Sequence, residues 1–110
     1  KKLSQARSYA QKAISFNENY GAPYILIANL YAMSHNWSDE SALNKCTYFA
    51  VIDKLQKAKS VDPSVTEEVN KMISRYSAYT PQAKDLFMLG DKAGDRITIG
   101  GWIGESTTIR

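Results

Sequence analysis

Two side chains in this 110-residue chain are equipped for nucleophilic chemistry: its one cysteine, Cys46, and its one histidine, His35. A thiolate activated by an imidazole would need a third group to orient the base. No such residue stands out, so Cys46 is expected to be a small buried apolar side chain at the start of a helix. Metal binding calls for three or four ligands at close spacing, and one His with one Cys falls short. The neighbouring carboxylates Asp39-Glu40 and Glu67-Glu68 face different sides of a helix, and the second pair suits a helix N-terminus electrostatically. Gly100-Gly101-x-x-Gly104 lacks the Lys-Ser/Thr of one phosphate loop and the strand-turn-helix setting of the other. Asn36-Trp37-Ser38 meets the three-residue glycosylation pattern, a weak signal. These residues point to no enzyme: no catalytic, cofactor or metal residue is assigned, and no small-molecule substrate is expected.

The formal charge is +3, from 14 Lys and Arg against 11 Asp and Glu. Lys1, Lys2, Arg7 and Lys12 form one basic group, and Lys54, Lys57 and Lys59 a second. Such groups attract nucleic acid or anionic surfaces. The aromatic residues are not interleaved with them for base stacking, so solvated helix faces are expected and no specific nucleic-acid partner. No apolar run approaches the ~20 residues that span a bilayer. A single Cys forms no internal disulfide and leaves the compartment open.

The elements that must position these residues follow from periodicity. Leu3, Ala6, Ala10, Ala13 and Ile14 make one stripe at three- and four-residue steps, which predicts a helix over 2–16. Gly21 is a turn residue, and a second helix over 22–34 carries Pro23 in its first turn, where a missing N–H is harmless. Residues 35–46 are polar and turn-prone. A third helix is expected over 47–60, and Ser-Val-Thr-Glu from Ser64 reads as a capping box opening a fourth over 65–79. A fifth, shorter helix falls near 82–90. Beyond Gly90, β-branched residues and glycines predict one or two short strands, with a hairpin turning near Gly100-Gly101. Trp102 and its Ile neighbours should pack that element on the last helices.

An internal repeat runs through this pattern. Tyr31 and Tyr76 lie 45 residues apart, and so do the pairs Ala6 and Val51, Ala10 and Leu55, and Ala13 and Ala58. With Tyr24, Ile27, Ala28 and Tyr31 on one helix and Val51, Leu55, Ala58 and Pro63 on the next, the chain resembles the tetratricopeptide repeat family, whose unit is a helix-turn-helix of about 34 residues. Val69, Met72, Ile73 and Tyr76 match the first helix of a following repeat. A 45-residue period also suits HEAT-type pairs; Tyr-x-x-Ile-Ala-x-x-Tyr and Lys-Ala-x-x-x-x-Pro favour the tetratricopeptide pattern.

The resemblance implies a mostly α fold, a right-handed superhelix of helical hairpins, with a short β element at the C-terminus. Residues 1–80 would be the repeats: 1–16 the second helix of a truncated repeat, 22–63 a repeat with an insertion at about 35–46, and 64–79 the first helix of the last. Residues 81–90 would be an extra helix and 91–110 a β-type tail acting as a cap. That tail is similar to the ends of bacterial repeat proteins, some of them exported, so the chain reads as the C-terminal part of a longer one, in the cell envelope or the cytoplasm. The family's peptide groove corresponds to Ile25, Asn29, Asn70, Lys71 and Ser74, with the clamp lysine replaced by Ile25. Trp37 and Trp102 are candidate hot spots or caps. The function implied is a non-catalytic interaction or scaffold module for a protein or peptide. The alternatives are a cap with no ligand, and weak nucleic-acid or anionic-surface binding through Lys1, Lys2, Arg7, Lys12, Lys54 and Lys57.

Overall fold

Apolar stripes become helices here, and the helices pair through one central member. In a computed structural model, which describes residues 2–110, the chain forms α1 (Lys2–Phe16), α2 (Ala22–Ala32), α3 (Ser41–Lys45), α4 (Thr47–Val61), α5 (Thr66–Ser77) and α6 (Ala83–Phe87). Two short strands follow, β1 (Arg96–Thr98) and β2 (Ser106–Thr108). The fold is mostly helical, with a small antiparallel sheet near the C-terminus. The bounds of α4 are those of α1 moved by 45 positions, and α5 stands in the same relation to α2 to within one residue.

Helix α4 is the hub. It packs on α2 and α5 and also receives β2 and α3, while α1 packs on α2. The core follows: Tyr31 and Ala28 from α2, Val51, Leu55 and Ala58 from α4, and Val69 from α5 are all fully buried. Ala28 and Ala58 admit close helix approach, because small side chains leave room for a neighbouring backbone. The two turns joining these pairs are stitched together. Gly21 N–H donates to Asp62 Oδ2 at 2.9 Å, and a Cβ on Gly21 would sit 2.9 Å from that of Asp62.

Three expectations are corrected. The polar stretch 35–46 is not all loop, because α3 forms inside it and its Asn44 organises what precedes it. Asn44 Oδ1 accepts from the Trp37 and Ser38 amides, and its Nδ2 donates to the Ser38 carbonyl. Ser64 caps no α-helix: its hydroxyl donates to Asp62 Oδ1 at 2.6 Å, and a 3₁₀ turn, Pro63–Val65, intervenes before α5. Asp62 supplies the cap instead, accepting the Ser64 amide.

The third correction concerns the hairpin. β1 and β2 pair in the register Arg96↔Thr108, Ile97↔Thr107, Thr98↔Ser106, and Gly100-Gly101 lies in the loop between them. A two-stranded ribbon is marginal alone, so it must borrow a core. Ile99, Ile103 and Ile109 are buried in the common core, where β2 lies on α4. Trp102 reaches the first helices, not the last. Its ring meets Tyr31 edge-on at 5.6 Å, and its Nε1 donates to Ser34 Oγ at 2.8 Å.

Candidate functional site

Polar side chains gather in two places, and the two differ in whether their groups are already engaged. The first gathering is under the hairpin. Arg7, on α1, donates to Tyr31 Oη at 3.0 Å and to the Ile103 carbonyl at 2.8 Å, with its guanidinium 5.0 Å from the Trp102 ring centroid. Tyr31 donates to Glu105 Oε2 at 2.5 Å, and Lys54 pairs with Glu105 Oε1 at 2.8 Å. Asp53, one position earlier on α4, accepts from Thr107 Oγ1 at 2.6 Å and pairs with Arg110. Burial first, and then the bond to Glu105, pushes the Tyr31 phenol up to about 12. Every charged head here has a partner. The arrangement fastens the hairpin to three helices and leaves no group over for a substrate.

The second gathering lies where α4 and α5 meet. Tyr48, near the start of α4, is the centre of an aromatic cluster: His35 stacks on it at 5.7 Å, Tyr76 at 5.9 Å, and Tyr79 leans on it at 5.4 Å. Arg75 sits 5.2 Å over the Tyr76 ring. Tyr76 lies at the end of α5 and Tyr79 three residues on, in the turn that follows it, and both rings reach Tyr48 on α4. Burial, then the neighbouring Tyr76 and Tyr79, raise the Tyr48 phenol above its ordinary value. Unlike Tyr31, none of the three hydroxyls has a hydrogen-bond partner among the described residues, and none is sealed from solvent. Tyr48 and Tyr79 line an open pocket of about 410 Å³ with His35, Asn36, Ser41 and Lys45. Free donors beside aromatic faces are what a recognition surface needs.

The residues singled out in the sequence distribute as follows. Ile25 is buried in the core, Asn29 is half-buried, and Asn70, Lys71 and Ser74 are exposed on α5. Asn70 Oδ1 accepts from Lys59 at 3.0 Å. α2 and α5 both pack on α4 but share no extended interface with each other. Trp37 packs inward: its Nε1 donates to buried Thr47 Oγ1 at 2.8 Å, and its ring lies where a Cβ on Gly100 would come within 2.6 Å. Trp102 closes over Tyr31 as described.

His35 and Cys46 are not joined. The Cys46 thiol is buried and faces the Ala42 carbonyl at 3.5 Å, and burial, reinforced by Asp91, pushes it up to about 11. His35 Nδ1 bonds the Ala32 carbonyl at 2.9 Å. Glu67 and Glu68 do occupy the first turn of α5. Gly100 to Gly104 joins two strands, not a strand to a helix. Of the basic residues, Arg7 and Lys54 are engaged within the fold, and Lys1 lies outside the described residues. No group of metal-ligating side chains occurs among the described residues, and no described helix is long and apolar enough to cross a membrane.

Tyr48 and Tyr79 were not anticipated as site residues. The only signal was the Tyr76-x-x-Tyr79 spacing, which puts two rings on one helix face. Compared with known proteins, the chain matches no family model, no curated protein and no solved structure.

Proposed function

We propose that this domain is a non-catalytic interaction module that captures a segment of a partner protein on the Tyr48–Tyr79 surface. The observation that carries it is the aromatic cluster beside an open pocket, with three phenol hydroxyls that have no hydrogen-bond partner among the described residues. Tyrosine supplies contact area and a hydrogen bond at small cost in side-chain entropy, which is why it is enriched at binding surfaces. Tetratricopeptide-type stacking of the hairpins α1–α2 and α4–α5 is the architecture proposed with it, supported by the 45-residue correspondence of their helix bounds.

The test is selection of displayed random peptides on the immobilised domain, with a Tyr79→Ala variant as control. Tyr79 is half exposed, so the substitution leaves the core intact. Enriched peptides should lose at least tenfold in affinity for the variant. Selection that yields no binder, or binders indifferent to Tyr79, overturns the reading.

A second reading has its own observation. The hairpin is held by Arg7, Tyr31, Lys54 and Asp53, the arrangement of a cap that seals the α1–α2 pair. Both roles fit one molecule, since they use different faces.

A further inference from the structure

The way α2 lies on α4 shows what covers a helix of this pattern. It runs in the opposite direction to α4. Its start is tied to Asp62 through the Gly21 amide, and its last turn brings the Tyr31 hydroxyl onto the same carboxylate, Glu105, that pairs with Lys54. Between those ends Leu55 and Ala58 are fully buried, and a Cβ on Gly21 would come within 2.9 Å of Val65 Cγ2.

Lys54, Leu55, Ala58 and Val65 have counterparts 45 positions earlier: Tyr9, Ala10, Ala13 and Tyr20. There the matching place stands open. These four line a groove of about 410 Å³ with Ala22, Pro23 and Leu26, and no charged side chain lines it. Tyr9 is 75% exposed, Tyr20 50% and Leu26 44%. Where α2 presents Ala22 and Leu26, α5 presents Glu67 and Lys71. The same face is thus charged on the later helix and apolar on the earlier one, and a contiguous exposed apolar face marks an interface.

The repeat itself names the occupant. The sister site on α4 takes a helix, not an extended segment, and that helix arrives from upstream in the chain. A second copy is a poor cover. Set face to face, it would add another exposed Lys12 and no acid, since α1 carries none; set end to end, it would offer the polar outer face of α5.

We propose that the groove seats an amphipathic helix of the same polypeptide, standing one 45-residue period ahead of α2 and lying antiparallel along α1 from Tyr20 to Tyr9. This rests on the stacked-hairpin architecture and is independent of the Tyr48–Tyr79 pocket.

A longer chain tests it: a copy of residues 22–45 placed directly ahead of Lys1 keeps the period and leaves all 110 residues intact. A control carries Ile27→Asp and Tyr31→Asp in the copy alone. The extended chain should melt about 5 °C or more above its control, and the α1 amides should exchange about tenfold more slowly. Tyr9→Gln with Tyr20→Gln, both at exposed positions, should leave the Tm of the unextended chain within about 4 °C and remove most of the gain in the extended one. An extended chain no more stable than its control, or α1 amides that exchange as fast in both, overturns the inference. So does an unextended chain that sediments as a dimer and is dispersed by Tyr9→Gln with Tyr20→Gln, which would make a second copy the occupant. Displayed peptides that depend on Tyr79 are untouched by either result, so the interaction module stands or falls separately.

Discussion

Tyr31 and Tyr76 hold the same place in two helices 45 residues apart, and the molecule treats them in opposite ways. Tyr31 is fully buried, with its hydroxyl between Arg7 and Glu105. Tyr76 is half-buried, with its ring in a surface cluster and its hydroxyl unbonded among the described residues. The cause is not on the helices. The β hairpin brings Trp102, Ile103 and Glu105 onto Tyr31, and its strands lie on α4 but make no extended contact with α5, which carries Tyr76. One helical pattern thus serves a sealed end and an accessible one, according to what later residues cover.

Deleting residues 91–110 should break the contrast most severely. It removes Ile99, Ile103 and Ile109, three buried side chains, each worth about 2–4 kcal/mol. A domain of this size has about 5–15 kcal/mol in all, so loss of the cooperative thermal transition in circular dichroism is expected. An unchanged melting curve would show that the hairpin adds nothing to the core.

Paired substitutions sharpen the comparison. Tyr31→Phe removes the hydroxyl that joins Arg7 to Glu105 and should cost about 1–3 kcal/mol, a fall of roughly 4–20 °C in Tm. Tyr76→Phe should stay within about 0.5 kcal/mol. Equal effects in scanning calorimetry would refute the division into covered and open halves. Gly100→Ala belongs beside Tyr31→Phe, since its Cβ would lie 2.6 Å from Trp37 Cε3 and overpacking costs about 1–3 kcal/mol.

The smallest effects depend on pH. The Tyr31 phenol is raised in the fold, so its contribution is complete below its unfolded value near 10 and is lost as pH climbs towards about 12. Denaturant midpoints from pH 9 to 12 should fall more for the parent than for Tyr31→Phe. Asp62 has the opposite sign. The Ser64 hydroxyl, then the Gly21 amide, hold its carboxyl below 3.8, so its contribution is present above that value and fades as pH drops further. Asp62→Asn should reduce that acid dependence slightly; an identical acid profile would separate the turn-to-turn bond from stability.

Much of this fold was legible before any coordinates. Helices α1, α2, α4 and α5 announce themselves through apolar stripes, Pro23 and the 45-residue echo, all local signals. The hairpin was legible from its glycines and β-branched residues. What covers it was not, because Arg7 and Trp102 are 95 positions apart and neither carries a mark of the other. Ser64 misled for a related reason: a capping box presumes a free hydroxyl, and Asp62 two residues earlier takes it. The proposed binding surface was the least legible part. Tyr48 and Tyr79 each look like ordinary core or surface tyrosines until α4 and α5 pack and bring their rings to 5.4 Å.

The clasp between Arg7 and the hairpin also orders events in time. Arg7 is synthesised 95 residues ahead of the Trp102 carbonyl and 96 ahead of that of Ile103. At about 5–20 residues per second, that interval is on the order of 5–20 s. Throughout it the nascent chain holds Tyr31 uncovered and an Arg7 guanidinium that lacks its two carbonyl acceptors, while the α1–α2 pair has already had time to form. The first helices are therefore made early and sealed late, and a nascent chain stalled before residue 102 would expose them to any chaperone or protease at hand.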